Sequence, residues 1–143
     1  MQVRDILTHK GREVATVSKE RTVSDGLRLL RERGVGALVV TGPTPPLVGI
    51  FSERDVVRAL ALDGAGALDA PIADLMSTSV TTCTEATTVD SLMAMMTDQR
   101  IRHVPVVDDG VLVGMISIGD VVKCRVDELE HEKRELLDYV SAR

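Results

Sequence analysis

Hydrophobic residues in the first 126 positions fall into short runs of two different periods, and the same order of runs occurs twice. Val3 to Leu7 and Ile72 to Met76 read as short helical turns, each followed by a brief extended run, Val14 to Val17 or Val80 to Cys83. A threonine then precedes apolar residues at helical spacing. Thr22 stands before Val23, Leu27 and Leu30, and Thr88 before Val89, Leu92, Met93 and Met96. A hydroxyl there accepts from free first-turn amides and so starts a helix. Two β-rich runs come next, Ala37 to Val40 and Leu47 to Phe51 in one copy, Val104 to Val107 and Leu112 to Ile116 in the other. The intervening TGPTPP and DDG carry turn residues of the hairpin kind. A second helix is expected to begin at Ser52 and at Ser117. The predicted class is therefore α/β (α+β), built from two β-α-β-β-α units.

The duplication is visible residue by residue. VGIFSERDVVR (48–58) and VGMISIGDVVK (113–123) share six identities in eleven positions. Upstream, GALVV (36–40) pairs with HVPVV (103–107), TVSDGLRLL (22–30) with TVDSLMAMM (88–96), and RDIL (4–7) with ADLM (73–76). The expected organisation is repeat 1 over 1–62, a Gly/Ala/Pro/Asp linker over 63–71, repeat 2 over 72–126, and a helical extension over 127–143. A unit of about 60 residues with few large side chains buries too little surface to stand alone. The two copies are expected to pack sheet against sheet as a pseudo-twofold pair.

Composition removes several functions. One Phe, one Tyr and no Trp cannot supply the stacking platforms that single-stranded nucleic acid requires. A net charge of −5 argues against a phosphate-backbone binder as well. No apolar run approaches the ~20 residues of a membrane span, and MQVRDILTHKGR lacks the apolar core of a secretory signal. The expectation is a cytoplasmic protein with neither nucleic acid nor membrane as partner. Cys83 and Cys124 have no CxxC spacing and read as reduced, small apolar residues. His9, His103 and His131 lack ligand spacing, so no metal is expected. No nucleophile, base and orienting acid can be assembled, so an enzyme is not expected either.

The chemistry concentrates in a motif present twice: Gly, two apolar residues, Ser, two residues, Asp, at Gly49–Asp55 and Gly114–Asp120. The simpler account is a capping box, in which the hydroxyl and the acid satisfy each other's backbone amides. Both copies use Asp where such a box usually has Glu or Gln. Each also follows a predicted strand that sets the helix start at a sheet edge. A helix start offers free amides and partial positive charge to an anion, and an acid in its first turn can accept both hydroxyls of a ribose. Ser plus Asp on one turn thus suits the phosphate and the sugar of a nucleotide.

Residues 3–126 resemble a tandem pair of CBS domains, the family named after cystathionine β-synthase. The resemblance implies a disk-like pair whose two clefts bind adenosine derivatives: AMP, ADP, ATP, NAD or S-adenosylmethionine. It implies that Asp55 and Asp120 hold the ribose, while Ser52, Arg54, Ser117, Gly119, Arg102 and His103 meet phosphate. Clefts in the family are shared between repeats. By that rule Lys10, Glu13 and Ala15 would complete the cleft of Asp120, and Thr78, Val80 and Thr81 that of Asp55, with Val35, Gly36 and Met115 as further adenine or cleft contacts. Backbone would read adenine between aliphatic side chains. The resemblance further implies a homodimer that regulates a protein target in trans.

The copies are not equal. Repeat 2 carries Arg102-His103 where the GALVV/HVPVV alignment puts Val35-Gly36 in repeat 1, and Glu53-Arg54 faces Ile118-Gly119. Different ligands or affinities are expected, with the Asp120 cleft the less obstructed. Beyond the repeats, Val122, Val126, Leu129, Lys133, Leu136 and Val140 alternate spacings of four and three, a short coiled-coil seam. That seam is expected to dock on a second copy, with packing on its own chain or on another protein as alternatives. A ligand-free structural module, with its Ser-x-x-Asp turns serving only as caps, is the competing reading of the whole chain. A regulatory fragment related to those of IMP dehydrogenases is a further one.

Overall fold

The computed structural model covers residues 1–143 and repeats one order of elements twice. Repeat 1 runs α1 (Val3–Lys10), β1 (Thr16–Ser18), α2 (Val23–Arg33), β2 (Ala37–Thr41), β3 (Gly49–Ser52) and α3 (Glu53–Asp63). Repeat 2 runs α4 (Ile72–Leu75), α5 (Val89–Gln99), β4 (His103–Asp108), β5 (Val111–Ser117) and α6 (Ile118–Ser141). Both threonine caps form as expected, Thr22 accepting from the Asp25 amide and Thr88 from the Ser91 amide, each at 3.1 Å. The helices they open end in the left-handed conformation, at Gly34 in α2 and at Arg100 in α5.

β1 pairs parallel with β2, and β2 antiparallel with β3; β4 and β5 form the second hairpin. The run Val80 to Cys83 does not become the expected strand, because only Cys83 bridges β4. Its N–H donates to the Pro105 carbonyl (3.0 Å) and its carbonyl accepts from Val107 (2.8 Å). The reason is the proline. In repeat 1 the Val39 amide donates to the Ala15 carbonyl at 3.0 Å. Pro105 stands at the matching place in β4 with no N–H to donate.

Pairing also corrects the alignment of the two copies. Ala37 lies opposite Ser52, and His103 opposite Ser117. The Gly36 carbonyl accepts from Glu53 at the head of α3, and the Arg102 carbonyl from Ile118 at the head of α6. Arg102 therefore corresponds to Gly36 and His103 to Ala37, one position away from the match that GALVV and HVPVV suggest. Residues 63–71 are not a loose tether. Gly64–Asp69 form a 3-10 helix with Ala67 buried, and the Ala70 carbonyl caps Val23 at 2.9 Å.

Buried side chains form two cores, and each contains an element from the other repeat. Val3, Ile6 and Leu7 of α1 sit among Cys83, Val89, Leu92, Met96, Val104, Val106, Ile116, Val121 and Cys124 of repeat 2. Ile72 of α4 sits among Val17, Val23, Leu30, Leu38, Val40, Phe51 and Val56 of repeat 1. Backbone bonds fix both exchanges: Val3 and Arg4 donate to Thr87 and Glu85, and Ile72 and Ala73 to Arg21 and Lys19. The motif glycines make room for them. A Cβ on Gly49 would lie 2.8 Å from the Ser77 carbonyl, and one on Gly114 would lie 2.6 Å from Leu7 Cδ2. The opposite face of β2, carrying Ala37 and Val39, is buried too, and at its edge the His103 ring lies 3.3 Å from where a Gly36 Cβ would stand.

Candidate functional site

Both Ser-x-x-Asp turns are capping boxes. The Ser52 amide donates to Asp55 Oδ2 at 2.8 Å and the Asp55 amide to Ser52 Oγ at 3.4 Å; the corresponding distances for Ser117 and Asp120 are 2.8 and 3.2 Å. Capping consumes only Oδ2. Oδ1 makes no hydrogen bond at either aspartate, yet no buried side-chain oxygen or nitrogen lacks a partner, so each Oδ1 reaches solvent on an aspartate that lines a cleft. A cap and a ligand-accepting oxygen therefore coexist in one carboxylate.

Two clefts of about 330 Å³ each lie between the repeats. The first joins Ser52, Arg54 and Asp55 at the head of α3 to the Ser77–Thr81 run and to the turn between α5 and β4. The second joins Ser117, Asp120 and Met115 to Lys10, Glu13 and Ala15 and to the turn between α2 and β2, where Val35 and Gly36 lie. Gly36 and His103 belong to both walls. Most expected site residues are brought together in this way.

Two are not. Thr78 lies outside the first cleft, although its neighbours Ser77, Ser79, Val80 and Thr81 all line it. Gly119 lines neither cleft, being exposed in the first turn of α6 with no side chain to reach inward. Conversely, Arg58, Gln99 and Arg100 line the first cleft and were not expected there. Arg58 carried a readable signal, since it follows Arg54 by four on one helical face.

The Asp120 cleft is also not the open one. Lys10 Nζ lies 2.6 Å from Asp120 Oδ2 and 2.8 Å from the Met115 carbonyl oxygen, placing a cation on that carboxylate. Burial works against ionisation of Asp120, but hydrogen bonds from Lys10 and Ser117 outweigh it and hold the carboxyl below its usual range. His103 is shifted down, chiefly by burial, while Glu53 and Asp120 pull the other way. Burial, helped by Asp108, pushes the Cys83 thiol up to about 11, so it stays protonated and inert.

A carboxylate oxygen, a helix start and a polar cleft shared between two β-α repeats match one known architecture. The family model for the CBS domain fits residues 3–62 and again 72–127. The chain belongs to the CBS-domain family. It is 35% identical to the mitochondrial CBS domain-containing protein CBSX3 of Arabidopsis thaliana, over 96% of this chain and 71% of that one. A solved CBS-domain containing protein from Agrobacterium tumefaciens superposes with a TM-score of 0.84 at 44% identity, covering 87% of this chain and 92% of its own. A second solved relative, the CBS pair of protein MJ0100, was captured with 5′-methylthioadenosine and S-adenosyl-L-methionine; its TM-score is 0.79 at 26% identity, over 90% of this chain and 98% of that one.

The CBS pair continues into a long C-terminal helix. α6 contributes Val121 and Cys124 to the core, whereas every residue from 129 to 143 is exposed. The seam residues Val122, Val126, Leu129, Leu136 and Val140 are all exposed, so none of them docks on its own chain. No helix is long and apolar enough to cross a membrane.

Proposed function

We propose that this CBS pair is a regulatory sensor of adenosine-containing ligands that acts on a partner protein in trans. The observation that carries this reading is the free Oδ1 of Asp55 and of Asp120, each in a cleft of nucleotide size beside a helix start. Each carboxylate would accept the ribose hydroxyls, with Ser52 or Ser117 turned toward phosphate or its substituent. Val80, Ala15 and Met115 would hold adenine between aliphatic surfaces, since the chain has almost no rings to offer. The complex of MJ0100 with two adenosine thioethers supports the ligand class. AMP, ADP, ATP, NAD and S-adenosylmethionine are the compounds to test.

The role is non-catalytic and cytoplasmic, and the unit is a homodimer to which the exposed seam of α6 contributes. Size-exclusion chromatography with light scattering reads the last point: a monomer that is unchanged by truncation after residue 127 would remove it. A thermal-shift panel with the five ligands tests the sensor reading. A ligand at 100 times its Kd stabilises by ~2.7 kcal/mol, which is roughly 5 to 10 °C for a chain of this size. The shift is expected to disappear in Asp55→Ala plus Asp120→Ala. No shift with any adenosine compound would instead favour a structural module whose turns are caps and nothing more.

A further inference from the structure

The two clefts have equal volume and different charge. Around Asp55, the guanidinium-bearing residues Arg54, Arg58, Arg100 and Arg102 stand against two carboxylates, Glu53 and Asp55. None of the four arginines is in an ion pair, although eight such pairs form elsewhere in the protein. Around Asp120, by contrast, a single lysine faces two carboxylates, and every charge already has a partner: Lys10 with Asp120 at 2.6 Å, Glu13 with Arg33 at 2.7 Å. In a chain of net charge −5, four guanidiniums without a carboxylate partner around one cavity are a local reversal of sign.

Backbone geometry supports the same assignment. α2 ends on Gly34 at φ 63°, the residue suited to a left-handed cap. α5 ends on Arg100 at φ 54°, where a side chain costs about 1 kcal/mol of strain. Gly34 belongs to the Asp120 cleft and Arg100 to the Asp55 cleft. Two residues on, Gly36 is likewise replaced by Arg102. Strained arginine in place of glycine, aimed into a cavity already rich in arginine, points to an anion as its use.

We infer that the clefts sort adenosine ligands by charge: the Asp55 cleft takes an adenosine polyphosphate, and the Asp120 cleft takes an adenosine whose 5′ substituent is uncharged or cationic. This rests on the adenosine-sensor reading above and adds to it the chemical class for each site. Arg54 and Arg102 supply fork-shaped donors to phosphate oxygens, and Arg58 and Arg100 extend the positive wall. In the other cleft, Lys10 balances Asp120 and Arg33 balances Glu13, so no free cation is left to draw in a phosphate chain, and an uncharged thioether or a sulfonium is tolerated.

The test is calorimetric titration of the full chain with ATP, with 5′-methylthioadenosine and with inorganic tripolyphosphate, on wild type and three variants. Arg100→Gly relieves the strained cap, so its melting temperature is expected to be unchanged or higher while ATP and tripolyphosphate bind more weakly, by roughly 10-fold for one lost charged contact. Arg54→Gln plus Arg102→Gln is expected to abolish tripolyphosphate binding and to leave 5′-methylthioadenosine untouched. Asp120→Ala is expected to do the reverse, removing 5′-methylthioadenosine and sparing ATP. Equal losses of ATP in the arginine and Asp120 variants, or ATP binding that survives all the arginine changes, would overturn the sorting while leaving the sensor reading intact. Absence of binding by both adenosine compounds would overturn the two together.

Discussion

Repeats 1 and 2 share their caps, their hairpins and their Ser-x-x-Asp turns, and differ most where the helix of each copy hands over to its first hairpin strand. Repeat 1 has Gly34, Gly36 and Ala37 at that junction; repeat 2 has Arg100, Arg102 and His103. Because each cleft takes its turn from one repeat and its aspartate from the other, the bare junction serves Asp120 and the charged junction serves Asp55. The two copies thus match in their exchanged helices and motif turns, and the charge difference between the clefts comes from junction residues outside both core clusters.

Breaking the symmetric part should have the largest effect. Leu7 is 1% exposed and Ile72 fully buried, each in the core of the other repeat. Truncating either to Ala is expected to cost about 3 kcal/mol, the usual scale for a buried leucine or isoleucine with its cavity. The informative readout is amide exchange. Leu7→Ala should lower protection in β4 and β5, and Ile72→Ala in β2 and β3, so a loss confined to the mutated repeat would refute the exchange of helices as a stabilising device.

The motif glycines come next and separate the copies. At Gly49 an added methyl meets Met76 Sδ and a backbone carbonyl, both at 2.8 Å, and the Ser77 carbonyl is itself held by the two bonds between Ile50 and Ser77. At Gly114 it meets only the end of the Leu7 side chain. Overpacking of this kind costs about 1–3 kcal/mol. Gly49→Ala is expected near the top of that range and Gly114→Ala near the bottom, since a side chain can re-aim and a bonded backbone cannot. Chemical denaturation of the two variants decides it, and the reverse order would show that the Leu7 pocket is the more rigid.

Much of this is legible in the sequence itself. Period, caps and the repeated Gly-h-h-Ser-x-x-Asp located the elements and both aspartates, because local chemistry dictates them. The exchange of α1 and α4 was not legible: RDIL and ADLM are each amphipathic and say nothing of which core they enter. The register of the first hairpin strand is off by one residue in the sequence alignment, because that alignment gains two Val-Val matches (Val39/Val106, Val40/Val107) where the cross-strand partners leave one (Val40/Val106). Val80 to Cys83 looked like a strand because its apolar spacing is right, while the missing donor sits in another element, at Pro105. Arg100 escaped notice because a left-handed helix cap is expected to be glycine, and its exception is visible only in φ.

Smaller effects probe the charges of the two clefts. The Asp120 carboxyl ionises more readily than usual because Lys10 and Ser117 overcome its burial. A carboxyl held below its unfolded value of 3.8 adds stability above that pH and loses it as pH falls through the folded value. Lys10→Met removes the cation and leaves the burial, so the Asp120 carboxyl should titrate at higher pH by NMR and acid unfolding should begin earlier. Lys10→Arg should restore both. An Asp120 titration unmoved by Lys10→Met would mean that the Ser117 cap alone holds the carboxylate.

The last and smallest test falls on His103, the side chain common to both clefts. Its ring is half-buried, and burial sets its protonation below the ordinary 6.5 despite the pull of Glu53 and Asp120. Above pH 6.5 neither the folded nor the unfolded imidazole is charged, so it contributes nothing. As pH falls below 6.5 the unfolded chain takes up the proton first, and stability must drop until the folded value is reached. His103→Gln removes that loss, so its unfolding midpoint should decline less between about pH 6.5 and 5 than that of wild type. An anion in the Asp55 cleft acts in the opposite direction, because phosphate beside the ring favours the imidazolium. ATP should therefore bind more tightly to wild type as pH falls through the same window, with proton uptake measurable from the buffer dependence of the binding heat. If His103→Gln shows the same uptake, the proton is going to the nucleotide or to another group, and the ring only spaces the two clefts.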